Sequence, residues 1–475
     1  MPPSRRERTT GRVVLGIIIA FALLLGVVGA VLVFAGGDTT TNVISSRGGS
    51  SNDSFNTSLR RNAPDADIEL IGGDGRPVDA VIAAAIADLE EYWGEQFPEV
   101  FGEEYEPVTG GFYSWSPSED LPGCAESEED IGGNAYYCGY QDEVAWDDTT
   151  FMPYLLETYG DLAVAVVIAH EWGHAVQARV GYQAEAVTYE QQADCYAGAW
   201  VAHAMDGGSG YFEPDGRSMD YALAGFVELG DIPGSSALDP MAHGSAFDRI
   251  NSFQEGFEDG NVACAAYTDE SVLARIVQIP FLTVDDVESG GNAPYADIFS
   301  MIDADLNDYW SAIAPEHLGE EWVGLSSGTP FDGVIGATCG GDKVRDSVVF
   351  YCAADRSVFY DDDDYMPTVY DSFGDFGVAL EYSLEFNLGA LTEYDAVPDS
   401  EDARLELVEC LAGSWTASIF GEERATSEMR LSAGDFDEAV QVIIATSADD
   451  EPGSAFDRVT AFRNGVMGTA AACFD

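Results

Sequence analysis

Three apolar patterns stand out along the chain. Val13 to Phe34 is a run of 22 uncharged, mostly apolar positions. A bilayer-spanning helix needs roughly 20. Arg5, Arg6, Arg8 and Arg12 precede the run and few bases follow it closely, so the positive-inside rule places residues 1–12 in the cytoplasm and the bulk of the chain outside. The run exceeds the apolar core of a cleaved signal peptide, roughly 7–15 residues, so an uncleaved anchor at 13–34 is expected. The Gly-, Ser-, Thr- and Asn-rich stretch after it reads as a flexible linker over 35–64. The second pattern is GDLAVAVVIAHEWGHAVQARVG at 160–181, apolar almost all round, which predicts a buried helix. Asp161 is a candidate cap at its start and Gly181 a candidate stop. The third is EQQADCYAGAW at 190–200, which reads as a second helix.

Repetition changes the picture next. DLEEYW at 88–93 answers DLNDYW at 305–310, TYGDLAVA at 158–165 answers SFGDFGVA at 372–379, CYAGAW at 195–200 answers CLAGSW at 410–415, and SAFDRI at 245–250 answers SAFDRV at 454–459. These matches keep their order over some 200 residues, which predicts two homologous domains, about 65–278 and 279–475. The eight cysteines fall four to each repeat. If each repeat folds alike, the short-separation pairs are Cys124–Cys138 and Cys339–Cys352, leaving Cys195–Cys264 and Cys410–Cys473. An extracellular location permits such bonds. Free buried thiols are the alternative, and a four-Cys zinc site is disfavoured because no C-x2-C pair exists.

Charge removes some function classes. With 85 acidic against 20 basic residues, the formal net charge is -65. Phosphate contacts need Lys and Arg, so general nucleic-acid binding is excluded, and the charge also argues against docking on anionic lipid through a basic patch. With aromatics at 12% of residues, real cores are expected rather than disorder. The acidic run Asp361–Asp364 reads as a solvated turn, with calcium ligation as the alternative.

The candidate chemistry lies in the second pattern. His170, Glu171 and His174 form H-E-x-x-H. Four residues are a little over one helical turn, so both imidazoles leave one face and can clamp one Zn2+, while Glu171 sits where it can act as general base. Two of the chain's five histidines fall in this one helix. Burying a Glu and two His there without purpose is costly. Glu190 is the third candidate ligand, Glu185 its rival, and Asp194 is expected to accept from a ligand imidazole. The second repeat offers an internal control. At the matching distances from Cys352 and Cys410 stand Leu384, Leu388 and Leu405, while Glu385 still matches Glu171. A one-residue gap would instead set Glu406 opposite Glu190. His243, matched by Pro452, is a candidate donor to an oxyanion. Tyr182, Tyr189 and Tyr196 are further candidates among which the sequence does not choose. His203 and His317 read as structural.

In the stretches YYCGYQDEVAWDD, GDLAVAVVIAHEWGHAVQARVG, YEQQADCYAGAW and HGSAFDRINSFQEGF, the chain resembles the bacterial putative neutral zinc metallopeptidases, at roughly 110–260. The resemblance implies an α+β zincin-like domain, His170, His174 and Glu190 as zinc ligands, Glu171 as the base, and a small sheet before the metal helix with its edge strand near Glu143–Asp147. Trp172 and Ala175 depart from residues the family often carries there. The second repeat resembles the family in scaffold alone, as a pseudopeptidase would. The expected protein is therefore a membrane-anchored extracellular zinc metallopeptidase acting on a peptide or protein substrate. The competing readings are a cell-surface binding protein with a structural zinc, and a peptidase regulated by its inactive repeat.

Overall fold

A computed structural model describes residues 58–474, apart from 118, 346, 422–428 and 448–453. The expected anchor at 13–34 lies outside the described residues. Among the described residues no helix is long and apolar enough to cross a membrane.

The architecture is mixed α and β. In chain order the elements are β1 (Leu70–Ile71), α1 (Pro77–Phe101), β2 (Gly111–Trp115), α2 (Glu128–Ile131), β3 (Ala135–Cys138), β4 (Glu143–Asp147), α3 (Phe151–Tyr159), α4 (Asp161–Val180), α5 (Ala186–Met205), α6 (Gly216–Val227), α7 (Ala246–Ala265), α8 (Asp269–Leu273) and α9 (Val284–Ser289). The series continues with α10 (Tyr295–His317), β5 (Thr329–Phe331), β6 (Ala337–Cys339), β7 (Asp342–Val344), β8 (Val349–Cys352), β9 (Ser357–Asp361), α11 (Tyr365–Phe373), α12 (Asp375–Glu393), α13 (Glu401–Phe420), α14 (Asp435–Thr446) and α15 (Ser454–Phe474).

The first sheet runs β1-β2-β4-β3, with β2 parallel to β4 and β3 antiparallel to it. The second runs β5-β9-β8 with the same pairing senses. Glu143–Asp147 is therefore an interior strand, and the edge belongs to Ala135–Cys138. This corrects the expected edge. Strand order is a long-range property, and β4 is wholly buried because β2 and β3 flank it.

The two halves repeat their local devices as well. Trp200 donates to Asp88 at 2.8 Å, and Trp415 donates to Asp305 at 2.8 Å. The four cysteine pairs are those expected: Cys124–Cys138, Cys195–Cys264, Cys339–Cys352 and Cys410–Cys473. The larger loops tie α5 to α7 and α13 to α15. Those helices cross so closely that a Cβ on Gly198 would meet the Phe253 carbonyl oxygen at 1.9 Å, and one on Gly413 the Phe462 carbonyl oxygen at 2.0 Å. Only glycine permits such a crossing, which explains the Gly shared by CYAGAW and CLAGSW.

One apolar core runs through both halves. Phe247 packs on Phe436 and Phe462, and Phe257 on Phe456. The contact is reciprocal: the Phe247 N–H donates to Asp437 of the second half, and the Phe456 N–H to Asp220 of the first.

Two further expectations need correction. The linker ends before residue 58, because Ser58 and Leu59 donate their N–H groups to the Asp161 carboxylate and Arg60 binds the Ser209 and Phe212 carbonyls. Asp161 thus anchors an incoming segment rather than capping its own helix; Gly160 occupies the N-cap. Gly181 closes α4 in the left-handed conformation, as expected.

Candidate metal centre

The site is built on α4 and α5. Gly173 lets the helices meet, since a Cβ there would sit 2.7 Å from the Ala193 Cα. The close approach brings Glu190 against the histidines of α4. His170 Nε2 lies 3.1 Å from His174 Nε2 and 3.2 Å from Glu190 Oε2, which is 3.5 Å from His174 Nε2. Three ligands on a tetrahedral zinc with bonds of ~2.0–2.1 Å must lie about 3.3–3.4 Å apart. The donor set therefore fits zinc without rearrangement. Among the described residues no fourth His, Cys, Asp or Glu joins this group.

Both imidazoles are oriented from behind. His170 Nδ1 meets Asp194 Oδ1 at 2.7 Å, and His174 Nδ1 meets Gln177 Oε1 at 2.8 Å, so both Nε2 atoms face the shared centre. Asp194 is fully buried, and Arg249 binds both its oxygens, at 2.8 and 2.9 Å. Gln177 in turn donates to the Tyr189 carbonyl and to Gln192.

The electrostatics follow from burying carboxylates beside imidazoles. Burial alone would lower the His170 pKa, but the Asp194 charge and its hydrogen bond, helped by Glu190, hold it up at about 10. His174 is likewise raised, against burial, by Glu190. Burial would raise Glu190, but the two imidazoles hold it well below the usual carboxylate range. Arg249 overcomes burial in the same way to keep Asp194 low. The carboxylates attract a cation, whether two protons or one metal ion.

Glu171 turns toward the sheet, where its carboxylate accepts from the Tyr137 N–H of the edge strand at 2.8 Å. These groups floor an open cleft of about 420 Å³, lined also by Gly133 and Asn134, by Ala135–Tyr137 of the edge strand, and by Tyr189 and His243. His243 is half-exposed, with Nδ1 3.6 Å from Asp231. Of the three candidate tyrosines, Tyr189 lines the cleft and stacks on His174, while Tyr182 donates to the Tyr267 carbonyl and Tyr196 lies in the core against Trp93. Glu185 is exposed at the start of α5, outside the donor group. Trp172 points away from the cleft and donates to Tyr105. His203 packs on Tyr92 and His317 on Phe474, as structural residues would. The Asp361 carboxylate accepts from the Gly333, Asp363 and Asp364 N–H groups, as Asp147 accepts from those of Gly133, Thr149 and Thr150. That run is a turn, and its one buried carboxylate is already satisfied.

The sequence profile of the putative neutral zinc metallopeptidases matches residues 5–267. The chain belongs to this family. Membership implies Zn2+ as its cofactor, consistent with the donor geometry. An uncharacterized protein of Mycobacterium tuberculosis H37Rv is 32% identical over 166 residues, covering 29% of this chain and 56% of that protein. The uncharacterized protein YpfJ of Escherichia coli K12 is 31% identical over 203 residues, covering 38% of this chain and 67% of that protein. The chain thus spans little more than half the length of its mycobacterial relatives. No solved structure matches it.

Arg249 and Gln177 are the site residues that motif reasoning missed. Arg249 did leave a trace: it lies in SAFDRI, one of the repeated stretches, opposite Arg458 of SAFDRV. Gln177 follows His174 by three residues, within one turn of the same helix face.

Proposed function

We propose that the first half is a zinc endopeptidase and the second a copy that has lost its metal site. The observation that carries this reading is the open side of the donor set. A structural zinc site is closed by four protein ligands, whereas here three converge on the floor of a cleft. His170, His174 and Glu190 would hold the ion. Bound zinc supplies Lewis acidity and lowers the pKa of a water ligand toward 7.

The protein's own groups do the rest. The Tyr137 N–H aims the Glu171 carboxylate, which takes a proton from the attacking water and returns it to the leaving amine. The free edge of β3 offers backbone groups to an extended peptide, which adds as a further strand. His243 donates to the oxyanion of the tetrahedral intermediate, with Tyr189 as the neighbouring alternative. The run at 13–34 anchors the chain, and the four disulfides suit an extracellular location.

The test is Glu171→Gln. It keeps the hydrogen bond from Tyr137 but cannot take the proton. Zinc content and folding should hold, and cleavage of a peptide library should fall by ~10²–10⁴. Full activity with zinc bound would overturn the mechanism. A wild-type ectodomain that binds zinc and hydrolyses no peptide would overturn the enzyme reading. Protease accessibility on intact cells tests the placement.

A further inference from the structure

We propose that one wall of the cleft, formed by Phe151, Val167, Phe226 and Leu229, is a subsite for a large apolar side chain next to the scissile bond. The substrates are then neutral or basic peptides carrying such a residue. This rests on the peptidase reading above.

Placement is the first argument. Val167 precedes His170 by three residues and Glu171 by four, so it lies on the same helix face one turn earlier. A side chain resting on Val167 therefore adjoins the reacting centre. Phe151 opens α3 beside it, and Phe226 and Leu229 complete the wall from the end of α6. The wall is rigid: the Phe226 ring packs on Phe253 and lies under the Arg249 guanidinium at 5.1 Å.

The second argument is internal. These residues could be mere core, in which case the fold itself would require them apolar. The second half shows that it does not. Phe151 and Tyr365 are the first residues of α3 and α11, and Val167 and Glu381 the seventh of α4 and α12. Tyr365 donates to Glu381 at 3.0 Å, and Arg458 pairs with Glu409 beside them. Where the metal donors are leucines, the positions of Phe151, Val167 and Phe226 hold Tyr365, Glu381 and Ala445, and the first two are bonded to each other. Where the donors are present, the wall is apolar and open.

Charge supplies the third argument. A formal net charge of -65 repels acidic peptides and favours neutral or basic ones, more so at low salt.

The experiment profiles the zinc-loaded ectodomain on a peptide library and measures binding of the same peptides to Glu171→Gln. Leu, Phe or Met at one position flanking the cut should exceed Gly by ~10–200-fold in kcat/KM. Val167→Glu should erase that preference with zinc content unchanged. Val167→Leu, which buries no charge, should narrow the subsite and shift preference toward smaller residues. Cleavage without apolar preference, or a preference unmoved in both folded variants, would overturn the subsite. If no peptide is cleaved, the peptidase reading fails separately. The binding measurement then decides: tighter binding of apolar-bearing peptides supports the subsite, and equal binding to Gly-substituted peptides overturns it.

Discussion

Helices α4 and α12 share a fold position and differ in chemistry. Each follows a short helix of nine residues, packs against a small sheet, and sends a glutamate to an edge strand: Glu171 to the Tyr137 N–H, Glu385 to the Tyr351 N–H. Each is buttressed by a buried acid–arginine pair, Asp194–Arg249 in one half and Glu409–Arg458 in the other. What differs is what stands in front of the pair. In α4 and α5 it is His170, His174 and Glu190; in α12 and α13 the same helix positions hold Leu384, Leu388 and Leu405. The acid–arginine pair therefore recurs where the two histidines do not. In the first half it also holds the His170 imidazole. Burial keeps the Glu409 pKa raised despite Arg458, whereas Asp194, beside both Arg249 and His170, is lowered.

The largest effect that would break this comparison is on metal. His170→Ala should take zinc from about one per chain to none and abolish hydrolysis, because two ligands cannot hold a catalytic ion. Leu384→Ala, at the same helix position, should keep zinc and activity. It should lower stability by ~1–3 kcal/mol, below a full core truncation because Leu384 is half-buried. Elemental analysis beside urea melts reads both. Two zincs per wild-type chain would defeat the comparison outright.

Disulfides come next. Cys195–Cys264 closes a separation of 69 residues and Cys410–Cys473 one of 63. Loop entropy scales with the logarithm of length, so removing either should cost a similar ~2–5 kcal/mol. Zinc affinity should fall only for the first, since Cys195 directly follows Asp194. Equal losses of zinc would show that the halves are coupled through more than their shared core.

A smaller effect is expected at Gln177. Its counterpart on α12, the seventeenth residue of that helix, is Leu391. Gln177→Leu, which installs the second-half residue, leaves His174 Nδ1 without its partner. Zinc affinity should drop by ~10–100-fold, measured by chelator competition, while the fold persists.

Much of this was legible in the sequence because it is local or repeated. Helix pitch sets His170 beside His174 and Glu190 on one face with Asp194, and the order of matched stretches aligned Cys195 with Cys410 and so set Leu405 opposite Glu190. Arg249 lies 55 residues beyond the acid it binds, and no local pattern encodes that distance. The edge strand differs from expectation for a related reason: β3 and β4 are both short, and only pairing with β2 makes β4 interior. Residues 58–60 looked like linker by composition, yet they dock through backbone N–H groups, which composition does not register. Tyr365 and Glu381 form no motif of their own, and their contrast with Phe151 and Val167 shows only when α11 and α12 are set beside α3 and α4.

The last predicted effect, of about the same size, concerns the seam between the halves and its dependence on pH. Asp248 and Asp437 are buried on either side of it, with the Ser245 hydroxyl donating to Asp248 and also bonded to Asp437. Burial raises both, Asp248 to about 7 and Asp437 to about 6; each is partly offset by backbone N–H donors, Asp248 also by Arg275, while Asp437 feels Asp231. Unfolded, both titrate near 3.8. Between about pH 4 and 7 the folded state thus holds protons that the unfolded chain has released, so stability falls as pH rises through that window. Lowered groups such as Asp194 act with the opposite sign but only in more acidic solution. Urea melts should show higher stability at pH 5 than at pH 8, by roughly 1–3 kcal/mol. Asp248→Asn should flatten the slope. The matching residue of the second SAFDR stretch, Asp457, is exposed; partial burial and the nearby Glu406 and Asp402 raise it too, but without the full burial of Asp248, so Asp457→Asn should flatten the slope less. Equal flattening by both would mean that the seam does not set the pH response, and stability rising from pH 5 to pH 8 would reverse its sign.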